Sequence, residues 1–254
     1  MQVTFLGTGT SLGIPIVGSE HPVCLSDDPR DKRLRVSILI TWENATYVID
    51  CGPDFRQQML HSGCTYIDGI LFTHEHADHT AGLDDIRPFY FRQGAIDFYA
   101  HKRVFEQLEK RFEYIFTKEN KYPGAPEVIQ HEVINHQPFE LKGVEVTPID
   151  ALHYKLQVFG YRFNNFAYLT DVKTIEQVEK NKLKNLKVLV INALRVQEHI
   201  SHFSLSDALE FIEEIQPERA YLTHISHLLG FHAEVSKELP ENVFLAYDTL
   251  TITI

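Results

Sequence analysis

Phe72-Thr73-His74-Glu75-His76-Ala77-Asp78-His79, continued by Thr80-Ala81-Gly82-Leu83-Asp84-Asp85, decides how the rest of the chain is read. Three imidazoles and the carboxylate of Asp78 fall within residues 74–79, directly after the apolar run Ile67 to Phe72. Such a run predicts a buried strand, and Gly82 marks a tight turn beyond it. Alternate residues of a strand share a face, so His74 and His76 are expected on one side of the strand's mouth. Asp78 and His79 are expected from the loop, with reach to a second position nearby. Neutral imidazole nitrogen and carboxylate oxygen are the usual ligands for zinc, manganese or iron. The stretch therefore predicts a metal site rather than a solvated His-rich loop.

In bulk the chain is ordinary. Its 254 residues suffice for one large domain or two small ones, and 44% hydrophobic with 23% charged residues supports a packed core. The net charge of −11, with 14 His counted neutral, repels polyanions and makes long nucleic acid a poor partner. Bound divalent metals would make a pocket locally positive, so a small phosphate ester remains compatible with an acidic chain. No apolar segment approaches the ~20 residues needed to cross a membrane. The start, Met1-Gln2-Val3-Thr4-Phe5-Leu6, lacks a basic region and cleavage site, so a cytoplasmic protein is expected. Cys24, Cys51 and Cys64 do not make a disulfide framework, and Cys51 and Cys64 read as buried or inert thiols.

Upstream of the motif, Val3 to Leu6 predicts a strand running into Gly7-Thr8-Gly9-Thr10-Ser11. That loop is either a plain turn or a backbone cradle near the substrate; no Lys follows to make it a P-loop. Residues 13–31 are a Pro- and polar-rich insertion. Val36 to Ile40 and Tyr47 to Cys51 flank a hairpin turn at Glu43-Asn44-Ala45, and Asp54 is expected to cap a helix through about His61. Downstream, helices are expected over Leu83–Phe91 and Val104–Phe116, with a strand at Ile96–Ala100 between them. Residues 118–126 read as a polar loop. A second β-rich half is expected from Val128, with one alternating strand over Glu140–Pro148. Apolar strands then end at Asp171, Asn192 and His224. Ser204 caps a helix over Leu205–Ile215, with Asp207 giving part of a capping box. Strands followed by helices in both halves predict an αββα sandwich.

His74-x-His76-x-Asp78-His79 resembles the signature of the metallo-β-lactamase superfamily. Gly82-Leu83-Asp84-Asp85-Ile86-Arg87-Pro88-Phe89 narrows the likeness to its phosphoribosyl cyclic phosphodiesterase (PhnP-like) branch. The resemblance runs from Gly7-Thr8-Gly9-Thr10-Ser11 to Ala246-Tyr247-Asp248. It implies a single α/β domain over residues 1–254, built as a four-layer αββα sandwich. It also implies two divalent metal ions, zinc or manganese or iron. His153 would join His74 and His76 on the first, while Asp78, His79 and His224 hold the second and Asp171 bridges them. Asp50 would brace the ligands from behind. His202 matches the family's catalytic His, poised to protonate a leaving alkoxide, and Asp78 is counted with the catalytic residues as well as the ligands. His199 is a supporting residue.

In the resembled family the insertion carries three cysteines that join a His in a structural zinc site. Here Ser19 and His21 stand at two of those positions, Cys24 at the third, and His227 would be the fourth ligand. His21, Cys24 and His227 thus either hold zinc or give way to a loop kept by hydrogen bonds and packing. The function implied is a dinuclear metal-dependent phosphodiesterase acting on small cyclic or nucleotide-like diesters through metal-activated hydroxide. The resemblance also suggests a homodimer. A tRNA 3′-end endonuclease is the alternative within the superfamily, though no basic, Gly- and Pro-rich arm is present in the sequence. β-Lactam and thioester hydrolysis are weaker alternatives. A non-catalytic metal-binding scaffold is the reading from another class.

Overall fold

The computed structural model describes residues 1–117, 119 and 121–254. Lys118, at the head of the expected polar loop, and Asn120 lie outside them. Among the described residues, strands β1 to β14 divide into two seven-stranded sheets. The first runs β14 (Thr251–Thr253), β1 (Gln2–Gly7), β2 (Ser37–Trp42), β3 (Ala45–Ile49), β4 (Gly69–Leu71), β5 (Ile96–Ala100), β6 (Val128–Glu132). The second runs β13 (Val243–Leu245), β12 (Arg219–Thr223), β11 (Val188–Asn192), β10 (Phe166–Tyr168), β9 (Leu156–Phe163), β8 (Val144–His153), β7 (Phe139–Leu141).

The inner faces of the two sheets make one core. Phe5, Ile38, Ile40 and Ile49 of the first meet Phe159, Tyr161, Phe163, Phe166 and Tyr168 of the second. Burying each such side chain contributes about 1.5–3 kcal/mol. Both faces of the central strands are covered, so they read as near-continuous apolar runs rather than alternating ones. On the outer face of the first sheet, Val48, Ile70 and Phe98 pack on Phe55, Phe89 and Phe105 from helices. On the outer face of the second, Leu189, Ile191 and Leu222 pack on Phe211, Ile212 and Ile215 of the helix Leu205–Ile215. Helix, sheet, sheet, helix is the four-layer sandwich expected.

Several local expectations are corrected. The run 67–72 is a strand only over Gly69–Leu71, because Thr73 N donates to the Asp50 carboxylate (2.8 Å) instead of extending a ladder. His74 and His76 therefore sit on the connection beyond, not on alternate strand positions. Asp78 and His79 belong to the short helix Ala77–Thr80, not to a loop. Val128–Glu132 pairs in parallel with β5 and closes the first sheet, so the second sheet starts at Phe139. Thr251–Thr253 also returns to the first sheet, beside β1. The stretch Glu140–Pro148 is a hairpin rather than one strand, because Lys142 (φ 44°) and Gly143 (φ 82°) form a two-residue turn. The helix expected over Leu83–Phe91 is a 3-10 turn, Leu83–Ile86, followed by an α-helix over Arg87–Gln93. The helix expected to run to Phe116 is Lys102–Arg111, broken at Phe112 and resumed over Glu113–Phe116. Asp54 makes no cap bond with its side chain; that carboxylate takes Arg35 N (2.8 Å) and Nη1 (3.1 Å). Asp207 completes the capping box with Ser204.

The insertion has a small core of its own, Ile14, Val23 and Cys24 with Ile16 and Phe231 against them. Asp31 moors it, accepting from His232 N (2.8 Å) and the Ser26 hydroxyl (2.6 Å). Buried Arg33 donates to the Thr8 hydroxyl (2.7 Å) and Ala246 O (2.6 Å), and its Nη2 lies 3.2 Å from His232 Nδ1. A guanidinium only donates, so His232 Nδ1 accepts and its proton sits on Nε2. Burial first, and the Arg33 charge next, hold His232 down to about 4. Among the described residues no helix is long and apolar enough to cross a membrane.

Candidate metal centre

The two sheets deliver ligands to one seam. His74, His76, Asp78 and His79 follow β4. His153 ends β8, Asp171 lies three residues past the end of β10, and His224 follows β12. Asp50 (φ 65°), Asp171 (φ 59°) and His224 (φ 53°) all adopt the left-handed backbone region that side chains disfavour. Such strain, of order 1–3 kcal/mol each, gathers at functional sites and persists where the surroundings enforce it.

The imidazoles are in mutual contact. Ring centroids lie 4.2 Å apart for His74 and His79, 4.6 Å for His74 and His76, and 5.2 Å for His76 and His153. Asp171 stands among them: its Oδ2 is 3.2 Å from His79 Nε2, and its Oδ1 is 3.3 Å from His224 Nε2. Asp78 Oδ2 is 3.4 Å from His79 Nε2 and 3.9 Å from His224 Nε2. His74, Asp78, His79, His153, Asp171 and His224 each belong to a group of three ligating atoms within 4.8 Å of one another, while the exposed His76 meets His74 and His153 through ring contacts. His202 stands at the same place, Nδ1 3.5 Å from Asp171 Oδ1, its ring 4.4 Å from that of His153 and 4.8 Å from that of His224. His199 packs behind it at 5.2 Å.

Hydrogen bonds choose the tautomers. The fully buried Asp50 accepts from Thr73 N and the Thr73 hydroxyl, both at 2.8 Å, and from His79 Nδ1 at 2.7 Å. The Thr73 proton is committed to Asp50, so the Thr73 oxygen accepts from His74 Nδ1 at 3.0 Å. His153 Nδ1 donates to Ser201 O at 2.8 Å. In all three rings Nε2 is left to face the centre. His74 Nε2, His79 Nε2, His202 Nδ1 and both nitrogens of His224 are buried without a hydrogen-bond partner. A buried polar atom left unpaired costs about 1–3 kcal/mol, so this donor set fits divalent cations.

The same packing of rings and carboxylates sets the electrostatics of the chain alone. Burial pushes the Asp171 carboxyl up, but the imidazoles of His224 and His79 outweigh it and hold it well below the carboxylate range. His79 goes the other way: burial opposes its charge, yet Asp171, Asp78 and Asp50 raise it. Burial pushes His74 far down and His202 down to about 3.

Two contributors escaped the sequence reading. Thr73 relays Asp50 to His74. Asn192, wholly buried at the end of β11, accepts from Val172 N (2.7 Å) and donates to Val172 O (3.0 Å), fixing the turn that carries Asp171. Their only signal was a polar residue closing an apolar run.

The insertion's residues meet only in part. The rings of His21 and His227 lie 4.7 Å apart, edge to face, and Cys24 is buried nearby in the sequence. His21 Nδ1 accepts from Val23 N (3.3 Å), and Ser19 Oγ accepts from His21 N (3.2 Å). Among the described residues, each group of three ligating atoms within 4.8 Å of one another belongs to the centre around Asp171 and His79; His21, Cys24 and His227 form none. Arg87 binds Asp84 (2.6 Å) and lies over the rings of Tyr114 and Tyr122.

A family model described as the beta-lactamase superfamily domain matches residues 45–225. The chain belongs to the metallo-β-lactamase superfamily, in its PhnP-like branch. It superposes with a TM-score of 0.93 on the crystal structure of a diphosphatase from the PhnP family, at 36% identity over 100% of this chain and 97% of that one. It is 40% identical over its whole length to the octanoyltransferase of Porphyromonas gingivalis, of which it covers 52%. RNase Z of Bacillus subtilis is 27% identical over 167 residues, 64% of this chain and 48% of that protein. The chain thus spans about half the length of these two curated relatives. The superfamily, the diphosphatase and RNase Z are hydrolases.

Proposed function

We propose that the chain is a dinuclear metal-dependent phosphodiesterase acting on small cyclic or nucleotide-like phosphodiesters. The observation that supports it most is the set of buried, unpartnered imidazole nitrogens converging on Asp171 and Asp78. His74, His76 and His153 would hold one divalent cation and Asp78, His79 and His224 the other, with Asp171 between them. Zinc, manganese and iron all suit that set. Bound there, two such cations supply Lewis acidity toward a phosphoryl oxygen and acidify water.

The chain's own residues do the rest. Asp50, Thr73 and Ser201 O fix which ring nitrogen faces the centre. His202 stands beside the centre with an unpartnered Nδ1 and carries the proton for the departing oxygen. Burial first, with the neighbouring imidazoles of His224 and His153 adding to it and Asp171 opposing, holds its pKa down to about 3 in the chain alone. In this reading the protein works in the cytoplasm, as a homodimer, without a nucleic-acid partner. Two ions per chain are expected, with the insertion held by Asp31, Arg33 and its apolar cluster instead of a third.

A second reading rests on the PhnP-family diphosphatase: the bond cut is the anhydride of a small diphosphate. Metal analysis combined with turnover of bis-p-nitrophenyl phosphate, a cyclic nucleotide, a dinucleoside diphosphate and a precursor tRNA tests all of these. Two metal equivalents with turnover of the diesters supports the proposal, and turnover of the diphosphate alone selects the second reading. Cleavage of tRNA alone makes the chain an endonuclease. Two metals with no turnover of any substrate make it a scaffold.

A further inference from the structure

The helix Lys102–Arg111 turns Val104, Phe105 and Leu108 into the outer core. Two of its arginines converge on one residue of the motif. Arg103 Nη1 lies 2.7 Å from Glu75 Oε1, and Arg111 Nη2 donates to Glu75 O at 2.6 Å. Glu75 stands between His74 and His76, and neither arginine is its sequence neighbour. The second arm of Arg103 continues across the seam: Nη2 donates to Gln157 O at 2.6 Å. Gln157 lies opposite Leu152 on β8, and its neighbour Leu156 lies opposite His153. One guanidinium therefore joins the segment carrying His74 and His76 to the hairpin carrying His153.

We propose that Arg103 is a positioning residue for the His74, His76 and His153 group, bridging Glu75 in the first half of the chain to Gln157 in the second. A planar fork with several donors serves a carboxylate and a carbonyl at once; the point charge of a lysine serves one. Arg111 holds the main chain at the same place, so Glu75 is fixed at both its backbone and its carboxylate. The motif's Glu is thus a handle by which the outer helix sets the spread of two ligands, which explains why a charged residue stands between two histidines and pairs with Arg103.

This proposal rests on the two-cation reading, and cobalt(II) titration of the metal-free protein separates the two. The wild-type protein should take up two equivalents, read from the visible absorption of the bound ion. R103Q and E75Q should each keep one equivalent as in the wild type and bind the other at least about 10-fold more weakly, with a changed absorption band. The double variant E75Q/R103Q should be no weaker than either single one, because one bridge cannot be lost twice. R103K should not restore the lost affinity. Circular dichroism of the metal-free variants checks that they are folded, and E75Q carries the test if R103Q is not. Wild-type binding of fewer than two ions overturns the two-cation reading and this proposal with it. Two ions in the wild type with unaltered affinity and absorption in E75Q and R103Q overturns only the role of Arg103. Additive losses in the double variant, or full recovery in R103K, overturns the bridge.

Discussion

Asp50 Oδ2 lies 2.7 Å from His79 Nδ1, with both side chains wholly buried. The same carboxylate reaches His74 through the Thr73 hydroxyl, so a single acid sets the orientation of two candidate ligands. Asp50→Asn keeps the shape but weakens the acceptor that faces both donors. The expected outcome is a loss of about 10–100-fold in metal affinity, measured by competition with a chromophoric chelator. Unchanged affinity would remove Asp50 from the design of the centre.

His202 is expected to matter for chemistry and not for metal content. His202→Ala should keep both metals and lose about 10²–10⁴-fold in turnover of diesters with poor leaving groups, while p-nitrophenolate, which leaves without a proton, is affected far less. A uniform loss across leaving groups, or loss of a metal, would show that the ring binds rather than donates.

Gly52 has no room for a side chain. A Cβ there would lie 2.1 Å from Asp78 O, and a Cβ added at Gly82 would come just as close to Gly52 O. Gly52→Ala must push the ligand helix Ala77–Thr80 aside, at a cost of about 1–3 kcal/mol in stability. Urea unfolding reads that cost. Metal counting on the same sample should show depleted loading, because Asp78 moves with the backbone.

His232 makes the fold acid-sensitive. It is held down to about 4 by burial and by Arg33, with Arg30 adding to this and Asp28 and Asp31 opposing it. An unfolded His takes its proton near 6.5, so between the two values the unfolded chain binds more protons than the folded one. The stability this neutral ring contributes is present above 6.5 and is lost as pH falls toward 4. Urea midpoints for metal-free wild type should fall between pH 7 and pH 5. His232→Gln, which does not titrate, should show a shallower fall; equal slopes would point to other groups.

How much of this was legible beforehand differs from residue to residue. The six residues from His74 to His79 announce their chemistry because donor atoms of that kind rarely cluster without cause, and the layered architecture follows from apolar runs closed by polar residues. Their local structure was misread: Phe72 suggested a longer strand, but the Asp50 carboxylate intercepts the next backbone donor, and only tertiary contact decides that. The division into halves failed for a similar reason, since Val128–Glu132 is half exposed and its pairing partner depends on which sheet edge lies free. Thr73 and Asn192 show in the chain only as polar residues closing apolar runs. The roles of all three, Arg103 included, depend on a partner brought near by folding, Asp50 for Thr73, Val172 for Asn192 and Glu75 for Arg103.

The candidate ligands are shared between two sheets that touch mainly through greasy side chains. Such an arrangement makes the candidate centre a gauge of its own seam. Warming that lets one slab slip over the other by an atom's width should silence the protein while each slab, taken alone, still looks intact.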